Sequence, residues 1–237
     1  TITLNSNKKD FLVKSEGVWG KFKTLHDLYE EAHTPWEWIS KLANSLNSKK
    51  FPLFASPFDI SSVDFLEELN CQAYKIASPE ITDIPLIEKI ALTKKPIILS
   101  TGMSTIKEIE KAIDTLSGSK LLIAHSTSAY PCAYGELNLN MISTLMKKYP
   151  DIPIGYSGHE KGISTSVVAV ALGACHIERH ITLNRTMWGT DHSSSLEKRG
   201  MELLCRDIRN VEKALGDGVK KVYDSELPII KKLRVNN

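Results

Sequence analysis

The feature that most constrains this chain is a regular alternation of short apolar runs with segments of helical periodicity. Continuous apolar runs of this length are typical of strands that are covered on both faces. Six such strands are predicted, at residues 51–55, 73–78, 96–100, 121–127, 152–157 and 175–183. The last helical segment runs from about residue 196 to 215 and is followed by Gly216, a typical C-terminal stop. The alternation predicts an α/β fold with a parallel sheet.

Two architectures satisfy this pattern, a doubly wound sheet and a TIM (β/α)8-type barrel. No GxGxxG motif follows any of the predicted strands, which weighs against a nucleotide-binding doubly wound fold. A barrel has eight strands, so the six predicted strands leave two unaccounted for. The pattern alone therefore leaves both architectures open.

Composition excludes several classes of function. The formal net charge of +2 gives no reason to expect nucleic acid or an anionic membrane surface as a partner, and no apolar run is long enough to span a membrane. The four cysteines show no CxxC or CxxH spacing, so a disulfide framework or a zinc finger is not expected. We predict a cytoplasmic protein with reduced thiols and with neither a nucleic-acid nor a membrane partner.

Polar side chains gather where the predicted strands end, which is the edge at which parallel α/β folds bind ligands. The serines and threonines at these ends, together with backbone N–H groups and Lys75, suit a phosphate or a carboxylate. A lysine within a strand pattern is costly to bury without an anionic partner. The residues singled out from position alone are Ser56, Lys75, Ser78, Glu80, Ser100, Ser128, Tyr130, Ser157, His159, Glu178 and His180.

His159 and His180 lie on the last two predicted strands, twenty-one residues apart. Neutral imidazoles suit Mn²⁺, Zn²⁺ or Fe²⁺, and two protein ligands would leave positions for substrate and water. By itself such a pair is more often two unrelated surface histidines. Strand alternation places Glu178, His180 and Thr182 on one face.

Seven motifs together resemble the catalytic domain of the sialic acid synthase family, from about residue 51 to residue 218. The resemblance implies a TIM barrel, which would settle the choice of architecture. The motifs are ASPF (55–58), YKIAS-E (74–80), KPIILSTGM (95–103), STSAYP (126–131), PIGYSGHE-GI (153–163), AVALGA--IERHITL (169–183) and RTMWGTDH--SLE (185–197).

The family resemblance also implies an activity and a role for each matching residue. It implies a C–C bond-forming transferase of sialic acid biosynthesis that condenses phosphoenolpyruvate with an N-acetylated amino sugar of the N-acetylmannosamine type, giving N-acetylneuraminate or a relative plus phosphate. His159 and His180 would bind a divalent metal, Mn²⁺ or Mg²⁺. Glu80, Tyr130 and Asp191 would face the sugar as catalytic residues. Phosphoenolpyruvate would contact Ser56, Lys75, Ser78, Ser100, Ser128 and Ser157.

The family pattern also contains segments that we do not find in this chain. Family members begin with two further barrel strands, which carry a Glu and a Lys of the active site. They end with a small antifreeze-like domain that reaches across a homodimer. We therefore expect residues 1–237 to form a single, partial barrel domain that lacks the first two strands and the C-terminal domain. Such a chain should be poorly stable alone, or should pair with another polypeptide.

Two alternatives remain beside the synthase. The 3-deoxy-heptulosonate synthases also condense phosphoenolpyruvate, but they typically use a cysteine metal ligand, and none of the four cysteines is well placed for that. A truncated, non-catalytic fragment that binds phosphate ligands or a partner chain is the other. The sugar is also open, because RTMWGTDH resembles the N-acetylneuraminate and legionaminate branch, whereas TLNS (3–6) and TPWEW (34–38) resemble the pseudaminate branch. A spore-coat polysaccharide relative is possible too.

Overall fold

The computed structural model describes residues 11–14, 19–48, 50–189 and 191–235, so the TLNS stretch lies outside the described residues. The five strands in this part of the chain are Tyr74–Ile76 (β1), Ile97–Ser100 (β2), Leu121–Ser126 (β3), Ile154–Gly158 (β4) and Ile177–Arg179 (β5). The α-helices are Leu25–Ala32 (α1), Trp36–Ser48 (α2), Ile60–Glu68 (α3), Ile84–Leu92 (α4), Ile106–Thr115 (α5), Asn140–Lys148 (α6), Ser164–Ala171 (α7), Lys198–Leu215 (α8) and Leu227–Leu233 (α9).

The five strands form one parallel sheet in the order β1-β2-β3-β4-β5. Each strand therefore pairs with the next one along the chain, and the winding never changes direction. A doubly wound sheet reverses its strand order at a switch point. The described sheet has no such reversal, so its topology is that of a barrel rather than of a doubly wound fold.

The sheet is curled, as one contact between its two outermost strands demonstrates. The Lys75 ammonium on β1 is bonded to the Glu178 carboxylate on β5. In a flat sheet these strands would be four spacings of about 4.8 Å, or roughly 19 Å, apart. The two side chains together extend only about 10 Å. The strands must therefore bend around a common axis, with both side chains on the inner face.

The hydrophobic core lies on the outer face of the sheet, between the strands and the helices. Tyr74 and Ile76 of β1 are fully buried there with residues of β2 and α3 to α5. A second cluster joins Ile123 of β3 and Tyr156 of β4 to α6 and α7. Because side chains alternate along a strand, the residues between these core positions face inward, and Lys75 is one of them.

Two of the six predicted strands differ from the structure. Residues 51–55 contain only an isolated bridge from Ala55 to Tyr74. The run FPLFASPF (51–58) includes two prolines, which donate no hydrogen bond to a ladder. The strand predicted at 175–183 is paired only over Ile177–Arg179, and a further bridge joins Ile181 to Leu196. The described sheet therefore has five strands rather than six, and the predicted lack of two barrel strands stays a prediction.

The helices follow the predicted pattern, and their ends have identifiable causes. A capping box begins α5, in which the side chains of Thr105 and Glu108 each accept from the backbone N–H of the other. Gly216 ends α8 with φ of 60°, a conformation that glycine adopts without strain. All four cysteines are free thiols. Among the described helices, none has the length and apolarity that crossing a membrane requires.

Candidate active site

The carboxyl ends of the strands bring a cluster of serine hydroxyls together. Ser78 follows β1, and its Oγ lies 2.9 Å from the Oγ of Ser100 at the end of β2. Gly102 donates its backbone N–H to the Ser78 Oγ at 3.1 Å. A Cβ placed on Gly102 would lie 2.1 Å from the Ser128 Oγ, so Ser128 belongs to the same cluster. Three serines predicted from separate strands are thus neighbours.

Ser56 is the predicted serine that the structure joins least to this cluster. It is half-buried and follows Ala55, whose carbonyl accepts a hydrogen bond from the Lys75 N–H at 2.9 Å. Its position is therefore at the same edge of the sheet, beside β1. Its side chain forms no hydrogen bond with the part of the chain that the structure describes.

Lys75, Glu178 and Ser157 form a second cluster on the inner face of the sheet. Glu178 accepts hydrogen bonds from the Lys75 ammonium and, at 2.9 Å, from the Ser157 hydroxyl. Burial opposes ionisation of Glu178, but the Lys75 charge and these hydrogen bonds outweigh it and hold the pKa of the carboxyl below its usual range. The anionic partner that a buried lysine requires is thus a residue of the chain itself.

Glu178 is the functional residue whose role the sequence motifs left unassigned. Two signals pointed to it: the lysine within a strand pattern, and the alternation that places Glu178 on the face of His180. Neither signal shows that β1 and β5 meet, because the two residues are 103 positions apart.

The two candidate metal ligands are close together. The ring centroids of His159 and His180 are 5.2 Å apart. His159 is buried, and its Nδ1 lies 2.8 Å from the Thr127 carbonyl oxygen. Because a carbonyl only accepts, the proton is on Nδ1, and Nε2 presents its lone pair. Burial lowers the pKa of both imidazoles, so both are neutral at neutral pH.

Tyr130 and Asp191 adjoin this pair of histidines. The Tyr130 ring centroid lies 4.3 Å from that of His159 and 5.6 Å from that of His180. Burial raises the pKa of the Tyr130 hydroxyl, and the negative charges of Asp191 and Glu178 add to this effect. The Asp191 Oδ2 is 3.7 Å from the His180 Nδ1. The structure therefore brings both predicted residues to the histidines.

Glu80 lies in a short turn of 3-10 helix, Ser78–Thr82, that follows β1. Burial raises the pKa of its carboxyl to about 7, and the nearby Asp83 contributes in the same direction. Its Oε2 is buried without a hydrogen-bond partner among the described residues. No hydrogen bond in the described part of the chain joins Glu80 to the histidines, and Glu80 follows Ser78 of the serine cluster by two residues in the same turn.

The donor set fits a divalent metal held by two protein ligands. Two neutral imidazoles are suitable donors for first-row divalent ions. The Thr127 carbonyl accepts from the His159 ring and so orients it, as carbonyls next to metal-bound histidines commonly do. No group of three or more His, Cys, Asp or Glu side chains suited to a metal occurs among the described residues. The remaining coordination positions would therefore belong to substrate or water.

One cavity of the described structure, at the opposite end of the strands, does not contain this chemistry. It has a volume of about 720 Å³ and is lined by residues at the beginnings of the strands, including Pro96, Lys120 and Pro153. None of the candidate residues lines it. Ligand sites of parallel α/β folds lie at the carboxyl ends instead, so we assign the candidate active site to the polar edge and not to the cavity.

Several curated proteins similar to this chain are named as synthases of legionaminic acid or pseudaminic acid. It is 45% identical over 188 residues to N,N'-diacetyllegionaminic acid synthase of Campylobacter jejuni, a match that covers 76% of this chain and 56% of the relative. It is 39% identical to pseudaminic acid synthase of the same species (strain 81-176), covering 92% of this chain and 64% of the relative. The chain thus spans somewhat more than half the length of these relatives.

Solved structures share the fold. N-acetylneuraminic acid (sialic acid) synthetase of Leptospira borgpetersenii superposes with a TM-score of 0.79 at 35% identity, covering 87% of this chain and 73% of that one. A truncated 3-deoxy-D-arabino-heptulosonate 7-phosphate synthase of Thermotoga maritima superposes with a TM-score of 0.67 at 19% identity, covering 77% of this chain and 74% of that one. At that identity the second likeness shows the fold alone.

The family model described as the NeuB family matches residues 1–220, which is nearly the whole chain. The predicted resemblance to sialic acid synthases is therefore confirmed. This chain belongs to the NeuB family.

Proposed function

We propose that this chain carries the catalytic barrel of a nonulosonic acid synthase, which condenses phosphoenolpyruvate with an N-acetylated amino sugar. The proposal rests on the positions of two sets of residues. A lysine–serine cluster suited to an anion and a pair of neutral histidines lie at the same edge of one curled sheet, in a chain of the NeuB family.

Phosphoenolpyruvate would bind at the serine cluster and Lys75. The hydroxyls of Ser78, Ser100 and Ser128 and the Gly102 N–H are short-range donors. Lys75 supplies the positive charge that phosphate and carboxylate require. Ser157 and Lys75 both bond the Glu178 carboxylate, and Ser56 lies at the same edge of the sheet. These groups would offset the charge that grows as phosphate leaves.

His159 and His180 would hold Mn²⁺ or Mg²⁺, which when bound supplies Lewis-acid polarisation of the sugar aldehyde. The Thr127 carbonyl keeps the His159 proton on Nδ1, so that Nε2 faces the metal position. Tyr130 packs against both imidazoles and would position the sugar.

The reaction consumes phosphoenolpyruvate, the open-chain sugar and water. A bond forms between C3 of phosphoenolpyruvate and the aldehyde carbon, and the aldehyde oxygen gains a proton. Water adds to C2, and the bond from C2 to the phosphate oxygen breaks, releasing inorganic phosphate. Glu80 and Asp191 are our candidates for moving these protons or holding sugar hydroxyls, since Glu80 has a pKa near neutrality.

The sugar we propose is of the N-acetylmannosamine type. Relatives of similar identity are named for legionaminic acid, for pseudaminic acid and, in human, for N-acetylneuraminate 9-phosphate. Two of these names specify an N-acetylated product.

The test is a phosphate-release assay with phosphoenolpyruvate, N-acetylmannosamine and Mn²⁺, run on the chain and on His159→Ala. His33→Ala is the matched control, because His33 is an exposed histidine at the end of α1. We expect release that requires the sugar and is lost in His159→Ala but not in His33→Ala. If the chain binds phosphoenolpyruvate but releases no phosphate in the presence of any of several N-acetylated sugars, the non-catalytic alternative is favoured instead.

A further inference from the structure

A buried ion pair outside the proposed mechanism lies directly behind the two histidines. The Arg179 Nη1 is 3.1 Å from the Glu160 Oε1, and both side chains are completely shielded from solvent. Glu160 follows His159 in sequence, and Arg179 precedes His180. Each candidate metal ligand therefore has one member of the ion pair as its neighbour.

Glu160 gathers hydroxyl donors from both sides of the loop that connects β4 to α7. Its Oε2 accepts from the Tyr156 hydroxyl of β4 at 2.9 Å. Its Oε1 accepts from Thr165 at 2.5 Å and from Ser166 at 3.2 Å, both in the first turn of α7. This helix has no side-chain N-cap, so the carboxylate also supplies negative charge at its N-terminus.

Arg179 fixes the backbone of the same loop to the end of β5. Its Nη1 donates to the Gly162 carbonyl at 2.7 Å and to the Ser166 hydroxyl at 2.9 Å. Its Nη2 donates to the carbonyl of Glu160. The planar guanidinium thus holds two loop carbonyls in one geometry, which the single ammonium of a lysine does not reproduce.

Glu160 directly follows His159, and Arg179, the last residue of β5, directly precedes His180. A constraint on the backbone at Glu160 and Arg179 is therefore also a constraint on where the two histidines lie. His159 has a second support in the Thr127 carbonyl. Among the described residues, His180 has a 3.7 Å approach to Asp191, ring contacts with Tyr130 and His159, and a backbone carbonyl that accepts from the Leu196 N–H at 2.8 Å. Arg179 ties the end of β5, which precedes His180, to the loop that follows His159.

Stability does not account for this pair. Replacing a buried ion pair by apolar side chains is often neutral or stabilising, because the charges no longer lose their hydration. Here the Arg179 Nε is in addition buried without a partner among the described residues. What charged groups provide and apolar ones do not is directional bonding to the loop backbone.

We propose that Glu160 and Arg179 are positioning residues that set the distance and orientation of the His159 and His180 imidazoles. The inference rests on the proposed metal site. Both side chains are completely shielded from solvent, so we assign them no contact with substrate. Their effect should therefore appear in metal affinity and imidazole orientation rather than in stability alone.

The test compares Arg179→Lys and the double variant Glu160→Met/Arg179→Met with the parent chain. Two quantities are measured. The first is the Mn²⁺ dissociation constant, from the electron paramagnetic resonance signal of free Mn²⁺. The second is the set of ¹⁵N NMR signals of the histidine rings in the metal-free protein. The matched control is Glu110→Met/Lys148→Met, which removes a partly exposed ion pair at 2.6 Å on the helical side. We expect Mn²⁺ affinity to fall about 10–100-fold in both Arg179 variants and to stay unchanged in the control.

Each outcome decides a separate point. Unchanged Mn²⁺ affinity and unchanged ring signals in a folded Arg179→Lys protein would overturn the inference, whether or not the double variant folds. The proposed metal site fails if the parent chain binds no Mn²⁺, or if His159→Ala binds Mn²⁺ as tightly as the parent does. The ring signals still decide the inference in that case: a shift of the His180 signals in Arg179→Lys supports it, and no shift overturns it.

Discussion

The ammonium group of Lys75 on β1 is bonded to the carboxylate of Glu178 on β5, so the two outermost strands of the described sheet meet across its inner face. The Ser157 hydroxyl bonds the same carboxylate at 2.9 Å. Lys75 therefore carries its charge in a largely buried place because Glu178 balances it. An anionic substrate that binds at this edge would bond the Lys75 ammonium together with Glu178 or in place of it.

If Lys75 binds the phosphate or carboxylate of phosphoenolpyruvate, Lys75→Met should weaken binding by about 10–100-fold, since a hydrogen bond to a charged group contributes about 1.5–3 kcal/mol. Titration calorimetry measures the change. Lys95→Met is the control, because Lys95 pairs with Glu67 away from the site. A dissociation constant equal to that of the parent protein would show that Lys75 serves only to neutralise Glu178.

Gly102→Ala should disturb the serine cluster without straining the backbone. An added Cβ would lie 2.1 Å from the Ser128 Oγ and 2.7 Å from the Ser78 Oγ, so both hydroxyls would have to rotate away. We expect phosphoenolpyruvate affinity to fall by about tenfold, equivalent to about 1.4 kcal/mol. Gly135→Ala is the matched control, because its Cβ would meet no atom within 4 Å. Equal effects of the two alanines would contradict the assignment of these serines to the substrate.

Glu80 should make the protein less stable as pH rises. Burial raises the pKa of Glu80 in the folded protein to about 7, above the ordinary glutamate value of 4.5. The protonated carboxyl is therefore favoured by folding, and its contribution is present below pH 4.5 and lost as pH rises through 7. Relative to Glu80→Gln, the free energy of unfolding should fall by about 1–3 kcal/mol between about pH 5 and pH 8.

Denaturant titrations of the parent and Glu80→Gln at both pH values measure this difference. Glu88→Gln, at an exposed position on α4, is the control and should follow the parent. A difference between parent and Glu80→Gln that does not change with pH would mean that Glu80 is ionised throughout.

Tyr130 should have two separable roles. Its ring packs against both imidazoles, so Tyr130→Ala should weaken Mn²⁺ binding, whereas Tyr130→Phe should leave it unchanged. If the hydroxyl also contacts the sugar, Tyr130→Phe should lower kcat/KM for the sugar by about five- to tenfold, the effect of one neutral hydrogen bond. Steady-state assays and Mn²⁺ titrations of the two variants separate these roles. Equal kcat/KM values for Tyr130→Phe and the parent would show that the Tyr130 hydroxyl does not contact the sugar.

Prediction from sequence succeeded where the signal is local. The serines and histidines were identified because each follows an apolar run, and the carboxyl ends of parallel strands share one edge. The strand at 51–55 was overpredicted, because its apolar side chains indicated a strand while its proline lacks a ladder donor.

The amino-acid sequence by itself determined the order of strands and helices, the edge that carries the polar residues, and the family. Those properties follow from periodicity and from short motifs, which depend on near neighbours in the chain. Only the tertiary structure decided that Lys75 meets Glu178, that the two imidazoles lie 5.2 Å apart, and that Glu160 and Arg179 are paired behind them. Such contacts join residues up to 103 positions apart, and they form only when the sheet curls and brings its outer strands together.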